Sequence, residues 1–229
     1  MQAWLQQAKA GLLGRPAAAA DRAVIFDRGD PAARTYLLAA GALEIRQTSE
    51  AGLSSVVKIL VGPALFGQTE PLAGEPEYLE SVVALGRVTF YAMERRRFTE
   101  LVRGDAALGY ECLVDMGRAF CVKARFEAPQ LFQTEALLAN LLIAYAELFG
   151  ERRRQRVVIG LRRTQADLAE AIGAGERSVN RILATWKHRE IITKEKARYI
   201  LCNELFLRET AGDLVGSLVH RAASATTPE

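Results

Sequence analysis

Glu176, Arg177, Ser178, Asn180 and Arg181 crowd one short stretch of this 229-residue chain, and all are side chains able to contact nucleic acid. An arginine fork fits the two acceptors on the major-groove edge of guanine, so Arg181 is the expected base reader, worth about 1–3 kcal/mol of discrimination. Arg177 suits either a base or a phosphate. Glu176 suits a cytosine amine, or a capping role that orients Arg177. Ser178, Asn180 and, a little upstream, Thr164 are further polar contacts, with Ser178 and Thr164 matched to phosphate. Lys194, Lys196 and Arg198 follow and bring the positive charge that phosphates attract whatever the base sequence.

These residues need elements to carry them. Along Gln165–Ala184, QADLAEAIGAGERSVNRILA, the residues Leu168, Ala169, Ile172, Val179, Ile182 and Leu183 recur at helical spacing on either side of Gly173-Ala174-Gly175. Ala169 permits close helix approach, and Gly173 can take the left-handed conformation of a sharp turn. Thr164 is a suitable N-cap, with Asp167 near the positive end of the first helix. An ordinary antiparallel helix pair shares the periodicity. The small residue, the turn glycines and the polar tip fall in register together, which favours a helix-turn-helix whose second helix enters the major groove. The strand-like Gln155–Leu161 before it, and a hairpin pattern over Ile191–Leu201 after it, complete a winged helix.

Charge is distributed to match. The whole chain carries a net +3, but residues 152–201 hold thirteen Lys/Arg against five Asp/Glu, whereas residues 1–150 hold fifteen against seventeen. A basic module beside a near-neutral body is the electrostatic footprint of a nucleic-acid binder. Catalytic chemistry finds little support: there is no nucleophile–base pair, no nucleotide-binding loop, and the two histidines, His188 and His220, both fall late in the chain. Cys112, Cys121 and Cys202 match neither a zinc signature nor a disulfide framework. No metal, no cofactor and no enzymatic activity are therefore expected. With neither a signal-peptide layout nor an apolar run long enough to span a bilayer, a cytoplasmic location without membrane contact is expected.

The first half is punctuated differently. RAVIFD, RTYLLAAG, ALEIRQ, SSVVKILV, LESVVALG and RVTFYAM are candidate strands between turn signals at Asp27–Asp30, Gly41, Ser49–Gly52, Gly62-Pro63 and Ala73–Pro76. Regular short strands of this kind predict an antiparallel barrel or jelly roll. Helix follows from Glu94 to Phe126, with a break near Arg103-Gly104. Leu108, Cys112, Met116, Ala119, Val122 and Phe126 form an apolar stripe along it, and Pro129 stops it. The stripe buries either on the chain's own barrel or on its copy in a second subunit; paired reading heads on a palindromic site favour the copy. Gln133–Leu148 is an apolar core helix, Asn203 to about Arg221 a further helix, and the tail SATTPE is expected to be disordered. The fold class is α+β: a sensor-like jelly-roll barrel over 1–103, a dimerisation helix over 104–127, and a winged helix-turn-helix with its C-terminal helix over 128–229.

That order of parts resembles the Crp–Fnr family of bacterial regulators, the relatives of the cyclic-AMP receptor protein. ERSVNRILATWKHREII is similar to the family's recognition helix and its run into the wing. FDRGDPAARTYLLAAGALEI resembles its first barrel strands, and LFGQTEPL the start of its phosphate-binding cassette. The resemblance implies a cyclic-nucleotide-binding-like sensor, a homodimer on a pseudo-palindromic double-stranded DNA site and, for an activator, contact with RNA polymerase. Gly67, Gln68, Glu80 and Ser81 fall at the implied effector pocket. Cyclic-AMP binders place a glutamate after the cassette glycine and an Arg-Ser pair further on; here Gln68 follows Gly67 and Glu80-Ser81 replaces Arg-Ser. A carboxylate there repels a cyclic phosphate, so a regulator not controlled by cyclic AMP is expected, its effector unspecified. The alternative is a small-molecule receptor whose barrel senses another ligand and whose C-terminal domain does not act on DNA.

Overall fold

The structure is a computed structural model that describes residues 1–49, 52–125 and 133–221, the backbone alone for 122–125. Its chain divides into two units. The first comprises Met1–Gln47, Lys58–Ala124 and Val219–Glu229; the second comprises Thr48–Val57 and Arg125–Leu218.

The first unit opens with helix α1 (Gln2–Lys9), followed by β1 (Ala17–Ala19), β2 (Val24–Phe26), β3 (Arg34–Thr48), β4 (Ser54–Val61) and β5 (Ala64–Phe66). A short helix α2 (Thr69–Ala73) precedes β6 (Ser81–Glu94), and then come α3 (Arg95–Gly104) and α4 (Ala106–Arg125). Strands are ordered β1-β6-β3-β4, with β2 also on β6 and β5 on β3; the pairs of β6 with β1, β2 and β3 and of β3 with β5 are antiparallel, and the C-terminal Val219–Arg221 adds parallel to β4. Two pairs of expected strands are single long ones. Gly41 and Gly86 sit inside β3 and β6 rather than between strands, and the β3–β6 register shifts around Ala40. Gly41 is required there: at φ +97° it lies so near its neighbour strand that a Cβ would sit 2.6 Å from the Arg87 carbonyl oxygen.

Helix α1 was invisible to periodicity, being short, yet it decides how α4 is used. Trp4 is fully buried with Phe98, Leu108, Cys112 and Met93, its ring 5.5 Å from that of Phe98 and its Nε1 donating to the Leu108 carbonyl at 3.2 Å. Glu111 accepts from the amides of Ala3 and Trp4 and pairs with the Met1 ammonium at 2.7 Å. Burial pushes the Glu111 carboxyl up, but the ammonium and the amides outweigh it and hold it below the ordinary range. The consequence corrects the interface stripe. Leu108 and Cys112 are buried in the chain's own core, at 0 and 2 % exposure, and cannot meet a second subunit. Met116 packs partly against the same core, and Ala119 is half-buried. The Val122 side chain and Phe126 lie outside the described residues. Among the described residues, the large apolar side chains that α4 exposes are Tyr110, Leu113 and Phe120.

In the second unit α5 (Thr134–Phe149) is the central helix, buried from Leu138 to Tyr145. A four-stranded sheet in the order β7 (Gly150–Arg153), β8 (Arg156–Ile159), β10 (Arg198–Leu201), β9 (Ile192–Glu195) flanks α6 (Gln165–Ala171) and α7 (Glu176–His188). The arginine-rich stretch 152–156 forms the end of β7, its turn and the start of β8. The region expected as one C-terminal helix is three pieces: α8 (Glu204–Ala211), a 3-10 turn (Gly212–Leu214) and β11 (Val219–Arg221). Gly212 and Gly216, both at positive φ, end the helical run. Among the described residues no helix is long and apolar enough to cross a membrane.

Candidate nucleic-acid interface

Helix α6 starts where the sequence placed it. The Thr164 hydroxyl accepts from the Asp167 amide at 3.0 Å, and Asp167 accepts from the Thr164 amide at 2.7 Å, a reciprocal capping box. The Thr164 oxygen is thus occupied as an acceptor, leaving only its O–H for a phosphate. Gly173 adopts φ +65° at the turn, and a Cβ there would press within 3.2 Å of the Ser55 side chain. Ser55 belongs to the segment Thr48–Val57 of this unit and forms a β-bridge with Ile172. Sequence periodicity gave no sign of that contact.

Helix α7 is strongly two-sided. Val179, Leu183 and Trp186 are buried, while Glu176, Arg177 and Arg181 are exposed. Trp186 fixes the helix: its Nε1 donates to Glu135 Oε1 at 2.8 Å and its ring meets Phe206 edge-on. The expected contacts divide accordingly. Arg177 and Arg181, one turn apart, point to solvent together with Glu176 at the helix start. Ser178 is half-buried. Asn180 is half-buried too, with its Oδ1 enclosed and unpartnered, so it faces the helix-turn-helix interior more than the open face. Ala184, Thr185 and His188 continue the Arg177–Arg181 face and are exposed. Their spacing of 3, 4 and 7 residues from Arg181 is the helical signal that places them there.

The wing turns at Lys196 and Ala197, both at positive φ. Lys194, Lys196 and Arg198 are exposed. Lys194 is steadied over Tyr199, its Nζ 4.5 Å from the ring centre and 3.2 Å from the phenol oxygen. Burial and then the Asp167 carboxylate raise the Tyr199 phenol to about 12, so it meets the ammonium as a neutral phenol.

The sensor positions lie in the first unit. Gly67 at φ +62° is pressed between aromatic rings; a Cβ would meet Phe26 at 3.1 Å and Tyr36 at 3.3 Å. Phe26 stacks on Tyr78 at 3.8 Å and on Tyr36 at 5.6 Å, and Tyr36 on Phe66 at 4.9 Å. Gln68 is buried at the start of α2. Buried Glu70, a residue the sequence reading did not single out, accepts from the Leu79 amide at 3.2 Å and closes the cassette loop. Glu80 accepts from Gln47 Nε2 at 3.1 Å, and Ser81 Oγ accepts from the Arg28 amide at 3.0 Å. Arg46, on β3 nearby, is held by Glu44 at 2.6 Å.

Comparison with known proteins agrees with this architecture. Residues 18–105 match the family described as cyclic nucleotide-binding domain, and residues 137–210 the Crp-like helix-turn-helix domain. The anaerobic regulatory protein of Bacillus subtilis is 23% identical over 186 residues, 80% of this chain and 78% of that protein. The global nitrogen regulator of Synechococcus elongatus is 24% identical over 198 residues, 81% of this chain and 84% of its own. Among solved structures, a CRP-family transcriptional regulator from Thermus thermophilus superposes with a TM-score of 0.71 at 19% identity, covering 85% of this chain and 96% of the other. The c-di-GMP-responsive global regulator of Xanthomonas campestris gives 0.72 at 14%, covering 86% and 98%.

Proposed function

The chain belongs to the Crp–Fnr family of DNA-binding regulators, and from that premise we propose that it acts as a homodimer on a pseudo-palindromic site and without cyclic AMP. The observation that carries the DNA half is the exposed Arg177–Arg181 face of α7, clamped from behind by Trp186 on Glu135. A base-reading helix must be rigid, because each fork contact requires a fixed orientation. The wing lysines add attraction for phosphate beside it.

The homodimer reading rests on α4. Tyr110, Leu113 and Phe120, at 68, 67 and 68 % exposure, recur at 3 and 7 residues and form a helical apolar stripe open to solvent. A second copy of the same stripe covers it in an isologous pair. The independence from cyclic AMP rests on the cassette. Aromatic rings crowd Gly67, and Glu80 stands where a cyclic phosphate requires a cation. Burying a phosphate against that carboxylate is unfavourable.

Fluorescence anisotropy with labelled genomic fragments, selected on the purified protein, tests the function. Specific binding at nanomolar protein that competitor DNA does not abolish is expected. Binding that every duplex competes equally would contradict sequence-specific regulation. Absence of any DNA binding together with a barrel-bound metabolite would favour a receptor instead.

A further inference from the structure

One face of α3 and two loops of the first unit enclose an open cleft of about 720 Å³. Its floor is apolar, made by Pro31, Ala32, Ala33 and Pro76. Backbone hydrogen bonds hold these walls in place. The Ala32 amide donates to the Pro76 carbonyl at 2.8 Å, and the Arg95 amide to the Ala33 carbonyl at 2.8 Å. Arg95 Nη1 donates to the Glu75 carbonyl at 3.1 Å and draws the second loop to the helix. A preformed apolar recess of this size, with a few polar groups at its edge, suits a small molecule.

The edge decides the ligand's charge. Arg95, Arg96, Thr99, Glu100 and Arg103 recur at helical spacing along the cleft. Both carboxylates that line it are already engaged: Glu94 takes Arg34 Nε at 3.0 Å, and Glu100 takes Arg96 Nε at 2.9 Å. Arg95 and Arg103 pair with no carboxylate among the described residues, which leaves two uncompensated guanidinium groups above the apolar floor. The stability of α3 does not call for this charge. Arg95, Arg96 and Arg97 fill its first turn with no acidic residue among them, where the helix dipole disfavours cations.

We propose that this cleft binds a small organic carboxylate, its apolar body on Pro31, Ala33 and Pro76 and its carboxylate drawn by Arg95 and Arg103. A guanidinium fork matches a carboxylate with two parallel hydrogen bonds, and the floor rewards an apolar body over a bare inorganic anion. The site is separate from the cassette, since Gly67, Gln68, Glu80 and Ser81 are not among its lining residues. It nevertheless bears on the cassette loop: Pro76 lies in the stretch that Glu70 closes through the Leu79 amide. The site stands on the first unit alone, whether or not the second unit acts on DNA.

Titration of the intact chain with hydrocinnamate in low salt, followed by amide NMR shifts, tests the site. Saturable shifts are expected at the Ala32, Ala33 and Thr99 amides. The uncharged amide of the same acid should bind roughly tenfold more weakly or worse, a comparison made on the unaltered protein. Arg95→Gln with Arg103→Gln should weaken hydrocinnamate to a similar degree with the melting temperature retained. Arg97→Gln, exposed but outside the cleft, should leave the affinity unchanged. Equal binding of the acid and its amide, or equal affinity in the double variant, would overturn the proposal. So would shifts confined to the cassette or to the apolar stripe of α4, or the lack of any saturable shift. The measurement involves no DNA, so its outcome is separate from that of the binding experiment.

Discussion

On the proposed reading, Arg181 is the residue on which base recognition turns. Its guanidinium is exposed on a helix that Trp186 holds in place, and a bidentate guanine contact is worth about 1–3 kcal/mol. Arg181→Ala is therefore expected to weaken specific binding by roughly ten- to a hundredfold while nonspecific binding changes little; competition titrations with selected and scrambled duplexes check this. Lys196→Ala should act otherwise, lowering affinity for all sequences alike and reducing the slope of log affinity against log salt by about 1. An unchanged slope would remove the wing tip from the interface. At this scale the sequence was legible where exposure follows from helical phase, as with Arg177 and Arg181, and where capping follows from residue type, as with the Thr164–Asp167 box. It was silent on the burial of Asn180, which is half-buried with its Oδ1 enclosed. Ser55 escaped because its partner Ile172 lies far away in sequence, and Glu70 because its bond to the Leu79 amide closes an irregular loop without periodicity.

Helix α4 shows why an apolar stripe does not name its own partner. Two stripes run along it. The one through Leu108 and Cys112 is filled by Trp4 and Phe98, and the other, through Tyr110, Leu113 and Phe120, is left open. Which is which depended on α1, eight residues too short for periodicity to identify. The two sides should respond differently to substitution. Leu108→Ala or Trp4→Ala removes core volume and is expected to destabilise the fold by about 2–5 kcal/mol, read from urea unfolding. Leu113→Glu should leave the subunit's secondary structure intact and convert dimer to monomer in sedimentation equilibrium. A dimer that survives Leu113→Glu and Phe120→Glu together would place the subunit contact elsewhere. Strand limits were legible where Gly-Pro or Asn/Asp turns mark them. They failed at Gly41 and Gly86, where glycine serves a bend inside a strand, a choice set by the neighbouring strand's backbone.

At the scale of the molecule, the division of charge and the division into units coincide: the basic segment 152–201 lies wholly in the second unit. The first unit matches the cyclic nucleotide-binding domain family, and on the proposal that Glu80 excludes a cyclic phosphate, saturating cyclic AMP should not shift the melting temperature. A ligand at a hundred times its dissociation constant would stabilise the folded state by about 2.7 kcal/mol, which calorimetry would register. The order barrel, long helix, winged head was legible because each part has its own period and punctuation. The return of the chain to the first unit's sheet was not, because three residues of strand carry no pattern of their own. The central claim is that two copies of α7 read one duplex. Hydroxyl-radical footprinting on a selected genomic fragment tests it most directly. The expected result is two equivalent protected patches related by two-fold symmetry, their centres ~34–36 Å apart along the duplex and both lost with Arg181→Ala. A single asymmetric patch, or protection that persists unchanged in the variant, would contradict it.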